Sequence, residues 1–342
     1  MADNPAVDQK NAKANFASDQ DVRWCPGCGD YAILAQMKKV LPEIGVPREK
    51  VVFISGIGCA SRFPYYINSY GFHTIHGRAP AVATGVKLAN PELSVWIITG
   101  DGDSLSIGGN HLLHLCRRNL NVNIILFNNQ IYGLTKGQYS PTSPVGKRTK
   151  TTPYGSLDTP FNPMSLVLGA GASFVARTID RDTKHMAATF KRAAAHKGCS
   201  FVEVYQNCII FNDGAFQSVT DPKIKQENLL YLEDGRELVY GADNDKGIRL
   251  EGLKLEAAAL NGPESRNGLL KHQETMPDEA YTYLLSKMTE RPDLPTPIGV
   301  FRALERPTYD EVFMQQIDDV TQKKGKGNLK ELFITGNTWK VD

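Results

Sequence analysis

No run of apolar residues in this 342-residue chain approaches the roughly 20 needed to cross a bilayer as a helix, so no membrane span is expected. Charge of one sign is also missing. The 39 Lys and Arg against 37 Asp and Glu leave a net +2, which gives no reason to expect nucleic acid or an anionic membrane surface as partner. The opening stretch, MADNPAVDQKNAKANFASDQDVRW, is polar and lacks the apolar centre of a secretory signal; the expected address is the cytoplasm. Internal repeats are lacking too. Cysteine is sparse, six in all at 25, 28, 59, 116, 199 and 208. In a chain that is not secreted such thiols are more often reduced, metal-bound or catalytic than paired in disulfides.

What is present is an ordinary globular-enzyme composition, 41% apolar and 22% charged. The segments 51–55, 95–99, 122–127, 173–177 and 200–206 are continuous apolar or β-branched runs, as strands buried on both faces should be. Helical patterns fall between them, near 31–41, 79–90, 104–119, 163–170 and 182–197. In the last, Asp182 opens a run with Met186, Ala187, Phe190 and Ala194 at helical spacing. This alternation predicts an α/β fold, a mostly parallel sheet flanked by helices. The expected division is a flexible N-terminal segment (1–20), an α/β domain (21–215) and a turn-rich C-terminal extension (216–342) with a β-hairpin appendage, a tail of the kind that packs on a partner subunit.

In an open parallel sheet, ligands bind beyond the carboxyl ends of the strands. There the chain places GIGCASRF (56–63), GDGDSLSIGGN (100–110), NNQIYGLTKGQYSPTS (128–143) and NC (207–208). Cys59 and Cys208 follow their strands and can meet across the sheet. Cys199 precedes its strand, roughly 20 Å away at the opposite edge, and Cys116 sits on an apolar helix face; both read as buried small hydrophobes. Cys25 and Cys28, three residues apart in WCPGCGD, complete a four-thiol set with Cys59 and Cys208. Four thiolates suit zinc and a [4Fe–4S] cluster alike, and spacing leaves both open.

The second motif is GDG at 100–102 followed by NN at 128–129. A lone GDG is mostly a strand end with a helix cap. At this spacing, on two matched strand ends, the pair offers a set of magnesium ligands. The Asp101 carboxylate, the Asn129 amide oxygen and the Ile131 carbonyl, with two diphosphate oxygens and a water, would complete an octahedron. Gly102 would let the backbone approach the phosphates, and a helix starting near Ser104 would aim its amides at them.

These motifs, with WCPGCGD, GIGCASRFP, HTIHGRAPAVATGVK and GQYSPTS, resemble the β subunits of 2-oxoacid:ferredoxin oxidoreductases, and among them most resemble the 2-oxoglutarate type. The resemblance is dense over about residues 20–215. It implies thiamine diphosphate and Mg2+ as cofactors, a [4Fe–4S] cluster on Cys25, Cys28, Cys59 and Cys208, coenzyme A as co-substrate and ferredoxin as electron partner. Oxidising a decarboxylated 2-oxoacid needs an electron acceptor, which zinc is not.

By the same resemblance Ile57, Gly58, Cys59 and Ala60 contact the coenzyme, His76 faces it, and Gly102, Asp103, Gly133 and Leu134 line its diphosphate. Arg62 and Lys136 are the implied catalytic-site cations with His76. An arginine fork at Arg62 suits the distal carboxylate of a 2-oxo diacid, and Lys136 would face substrate or coenzyme A. The implied reaction is CoA-dependent oxidative decarboxylation of 2-oxoglutarate to succinyl-CoA and CO2, reversible in principle. A single GDG…NN unit implies that a larger α subunit completes the site, in a heterodimer or a dimer of heterodimers.

Overall fold

The computed structural model describes residues 16–341; most of the expected N-terminal segment, residues 1–15, lies outside the described residues. The strands are β1 (Val51–Ser55), β2 (Tyr70–His73), β3 (Ser94–Gly100), β4 (Val122–Asn128), β5 (Phe174–Ile179), β6 (Cys199–Tyr205), β7 (Leu229–Leu232), β8 (Val239–Tyr240), β9 (Lys246–Glu251), β10 (Lys254–Ala259) and β11 (Thr296–Ala303). Eight form one sheet in the order β2-β1-β3-β4-β6-β5-β11-β7. The first six run parallel, β11 is antiparallel to β5, and β7 is parallel to β11. The five strand segments read from the sequence all lie in this sheet. β2 was not among them, because it is a solvent-exposed edge strand without a buried apolar run.

Helices α1 (Asp30–Ile44), α2 (Ala79–Ala89), α3 (Asp101–Leu105), α4 (Gly109–Arg118), α5 (Pro163–Gly169) and α6 (Thr183–Ala195) cover the two faces. Alternate residues of the strands divide the core. Val95, Ile97, Ile124 and Leu126 pack with Ala83, Leu112, Leu115 and Val167 of α2, α4 and α5. Trp96, Ile98, Ile125 and Phe127 pack with Ile33, Met37, Met186 and Phe190 of α1 and α6. Removing each such side chain from water stabilises by about 1.5–3 kcal/mol, so the central strands are apolar on both sides. Asp182 caps α6 as expected, accepting from the His185 N–H at 3.1 Å.

Two expectations need adjustment. The helix expected over 104–119 is two helices. α3 starts at Asp101, lasts five residues and ends at Ser106 (ψ −104°). Gly108 then packs on Gly77: a Cβ on Gly108 would lie 2.5 Å from the Asp103 carbonyl and 3.0 Å from the Gly77 Cα. The chain must leave the helix to let those two backbones touch. The boundary at 215/216 also falls inside the sheet, because β7 and β11 belong to it. The hairpin appendage is present as β9 and β10, paired from Glu251↔Lys254 onward, with β8 beside them. Among the described residues no helix is long and apolar enough to cross a membrane.

Candidate functional site

The four loops expected at the carboxyl edge of the sheet do meet. A cavity there is lined by Ile57, Gly58, Cys59, Ala60 and His76 from one side and by Gly100 to Asp103 from the centre. Asn129 and Ile131 to Thr135 close the other side. Its volume is about 80 Å³, against the roughly 300–1,000 Å³ usual for a small-molecule site, so the cavity formed by this chain alone is small. A larger cavity of about 690 Å³ lies elsewhere, between α4, α5 and the Lys287 region, and holds none of these motifs.

Asp101 sits at the centre, 2% exposed. Ser140 and Thr142 both donate to its Oδ2, at 2.5 and 2.6 Å. Burial pushes its carboxyl up to about 6, against the pull of those two hydroxyls. Asn129 gives its Nδ2–H to Gln206 at 2.8 Å, and its Oδ1 accepts the Ile131 N–H at 3.2 Å. Its amide oxygen therefore faces the turn that carries the Ile131 carbonyl. A hard carboxylate, an amide oxygen and a backbone carbonyl in one cavity wall are a donor set that fits magnesium.

Asp103 lines the cavity, and its carboxylate ties two loops to β3, accepting from the Ile57 N–H (3.1 Å), the Gly77 N–H (2.7 Å) and the Thr99 hydroxyl (2.7 Å). His76 Nδ1 stands 2.7 Å from the same carboxylate, off the line of a good hydrogen bond. Gly102 has a strict steric reason to be glycine: a Cβ would lie 2.0 Å from the Tyr132 ring, whose hydroxyl donates to the Gly102 carbonyl at 3.1 Å.

The thiols fall into two groups. Cys116 and Cys199 are fully buried, with sulfurs 3.8 Å apart in the core. The other four lie on the edge loops. Trp24 Nε1 donates to the Cys59 carbonyl at 2.7 Å and ties WCPGC to the loop after β1. The Gly29 N–H donates to the Asn207 carbonyl at 3.1 Å and ties it to the loop after β6. Gly133 lines the cavity, and a Cβ on it would lie 3.5 Å from both the Cys59 and the Cys208 sulfur.

Burial, then the Asp30 carboxyl, pushes the Cys28 thiol far up and the Cys59 thiol up to about 12. Asp30 is 1% exposed, no N–H or O–H donor reaches either oxygen, and burial pushes it up to about 7 against the pull of the neighbouring Cys28 thiol. Acidic groups crowded this way, with an orphaned carboxyl among them, fit a centre of bound positive charge. Among the described residues no three His, Cys, Asp or Glu side chains are gathered closely enough to hold a single ion.

Arg62 and Lys136 do not line the cavity. Arg62 Nη1 donates to the Arg23 carbonyl at 3.0 Å, on the cysteine-loop side. Lys136 is exposed, at a positive φ of 74°. Ser140, Thr142, Tyr132 and Gln206 were given no role from sequence. The first three lie within the stretch NNQIYGLTKGQYSPTS, but their partners are set by the fold, and Gln206 carries no spacing signal at all.

Residues 56–204 match the family of thiamine pyrophosphate enzymes, C-terminal TPP binding domain. The 2-oxoglutarate oxidoreductase subunit KorB of Mycobacterium tuberculosis is 49% identical over 340 residues, 99% of this chain and 91% of the relative. The 2-oxoglutarate synthase subunit KorB of Archaeoglobus fulgidus is 45% identical over 185 residues, 54% of this chain and 69% of that one. Among solved structures, the 2-oxoglutarate:ferredoxin oxidoreductase from Magnetococcus marinus, with 2-oxoglutarate, coenzyme A and succinyl-CoA bound, aligns with a TM-score of 0.74 at 31% identity, covering 94% of this chain and 95% of that one. With the GDG…NN edge and the four loop thiols beside it, these likenesses place the chain in the family of 2-oxoacid:ferredoxin oxidoreductase β subunits, among its 2-oxoglutarate oxidoreductases.

Proposed function

We propose that this chain, with a partner subunit, carries out the CoA-dependent oxidative decarboxylation of 2-oxoglutarate at a site holding magnesium, thiamine diphosphate and a [4Fe–4S] cluster. The observation that carries the reading is Gly133, which lines the cavity of Asp101 and Asn129 and has the sulfurs of Cys59 and Cys208 beside it. Asp101, Asn129 and the Ile131 carbonyl would hold magnesium; Cys25, Cys28, Cys59 and Cys208 would hold the cluster. When bound, the coenzyme supplies the electron sink for decarboxylation and the cluster a one-electron relay.

In the net reaction the C1–C2 bond of the 2-oxoacid breaks and CO2 leaves. A thioester bond forms between C2 and the coenzyme A sulfur, whose proton is released. The two electrons pass singly to two ferredoxins. Around the cavity, Ser140 and Thr142 hold Asp101 in place, Asp103 locks the Ile57 and His76 loops together, and His76, 38% exposed, faces the open side. Gly102, Asp103, Gly133 and Leu134 would line the diphosphate, and Ile57, Gly58, Cys59 and Ala60 would meet the coenzyme. Arg62 and Lys136 are proposed as the cations that meet the substrate carboxylate and coenzyme A from beyond the cavity wall.

The partner subunit is supported by the small volume of the cavity and by exposed apolar side chains, among them Tyr70, Phe72, Ile75, Ile107 and Leu134. The helix 309–324 and the segment after it add Val312, Ile317, Val320, Leu332 and Phe333, a surface suited to the same partner. Six free cysteines fit a reducing cytoplasm.

The test is anaerobic reduction of an electron acceptor by the chain co-purified with its partner, comparing 2-oxoglutarate with pyruvate, each with coenzyme A. Preference for 2-oxoglutarate that collapses in Arg62→Ala supports the whole reading. Equal rates remove the substrate assignment, and no CoA-dependent reduction with any 2-oxoacid removes the function. Full turnover by the isolated, cofactor-loaded chain removes the partner subunit.

A further inference from the structure

One side chain spans the two halves of the site. Gln206, just after β6, is 1% exposed. Its Oε1 accepts from Asn129 Nδ2 at 2.8 Å. Its Nε2 donates one hydrogen to the Asn207 carbonyl at 2.6 Å and the other to the Cys28 sulfur at 3.2 Å. All its donors and its acceptor are used, and the orientation is forced: a flipped amide would set Oε1 against the Asn207 carbonyl oxygen, two acceptors with no proton between them. The backbone holds it as well, through the Gln206 N–H to the Asn128 carbonyl at 2.9 Å.

We propose that Gln206 is a positioning residue shared by the two cofactor sites, orienting Asn129 for the cation through its oxygen and setting the reduction potential of the cluster through its N–H on Cys28. The inference rests on the four-thiol and magnesium assignments above. The two effects follow from separate ends of one amide. By taking the Asn129 N–H, Gln206 fixes which way that amide faces and leaves its oxygen as the group presented to the turn. Residues standing behind metal ligands in this way typically contribute 10–100-fold to metal affinity. An N–H donated to a cluster thiolate stabilises the more negative, reduced cluster, so it raises the potential.

Two variants separate the roles. Gln206→Leu removes both ends of the amide. Gln206→Glu keeps an oxygen that accepts from Asn129 and replaces the donor to Cys28 by a carboxylate oxygen, whose charge lowers the potential further. Each is purified as the complete complex, with iron content and circular dichroism checked against wild type. The cluster potential is then read by an EPR-monitored redox titration, and magnesium–thiamine diphosphate affinity by calorimetry.

The expected result is a more negative potential in both variants, with affinity about tenfold or more weaker in Gln206→Leu and less affected in Gln206→Glu. Unchanged potential and affinity in variants that hold a full cluster overturn this inference alone. Loss of the cluster from both variants, with the wild-type fold, assigns Gln206 to cluster retention and overturns the potential-setting role. A wild-type complex that shows no reducible cluster overturns the four-thiol reading and this inference with it.

Discussion

Arg177 donates to Glu203 at 2.6 Å in the middle of the sheet, where the two side chains are 1% and 0% exposed. Glu203 passes the link on: its other oxygen accepts from Asn128 Nδ2 at 2.7 Å, and Thr142, 3.0 Å from Asn128 Oδ1, donates to Asp101. A buried ion pair thus stands behind the residue proposed to hold magnesium. Removing one partner of such a pair leaves an unpaired buried charge and costs about 3–5 kcal/mol. Arg177→Met should therefore lower the denaturation midpoint sharply, and Arg177→Met with Glu203→Gln should recover part of the loss. A double variant as unstable as the single one in urea titrations would show that packing, not charge, sets the cost.

Ser140 and Thr142 hold Asp101 without any place in the proposed magnesium shell. Thr142→Val keeps the shape and removes the hydroxyl; Ser140→Ala removes the other donor. Each is expected to weaken magnesium–thiamine diphosphate binding by roughly 10–100-fold, measured by calorimetry on the complex. Wild-type affinity in both would remove their role as supports of Asp101.

The six thiols should separate cleanly under substitution. Cys59→Ser is expected to lose most bound iron and the brown absorbance of the complex. Cys116→Ser, in the core beside Cys199, keeps the iron and loses only stability. Iron per chain by mass spectrometry decides; equal loss in both would break the division of the cysteines.

His196 gives a pH dependence of stability. Its Nε2 stands 2.7 Å from the Ser173 hydroxyl, and that hydroxyl donates to Asn119 Oδ1 at 2.5 Å. With the hydroxyl proton committed, His196 must be the donor to Ser173. Burial lowers its pKa from 6.5 to about 4. The unfolded chain therefore takes up a proton below about pH 6.5 that the folded chain refuses, so stability is whole above 6.5 and falls as pH drops toward 4. His196→Gln keeps a donor and cannot titrate. Its melting temperature should fall less between pH 7 and pH 5 than that of the wild type; equal falls would clear His196 of the effect.

The parts legible in the sequence were those with a short-range cause. Continuous apolar runs mark β1, β3, β4, β5 and β6, and the loops after them assembled into the cavity because parallel strands end on one side. What escaped depends on distant partners. β11 contains Pro297 and Gly299, which read as turn residues. Yet Gly299 (φ +120°) is required where it is, because a Cβ there would lie 2.7 Å from the Leu232 carbonyl of β7. Gln206 and Thr142 are ordinary polar residues in sequence and acquire roles only when β4, β6 and the 140–143 loop converge.

β5 lies beside β11, though everything from Asp180 to Pro295 is made between them. As the chain leaves the ribosome, the loops carrying Cys25 through Cys208 are complete while β5 still shows a bare edge. An unpaired strand edge is a template for other chains, and synthesis at about 5–20 residues per second keeps it open for several seconds. The nascent protein thus has its site loops before its sheet is sealed, and its most aggregation-prone moment falls after those loops exist rather than before.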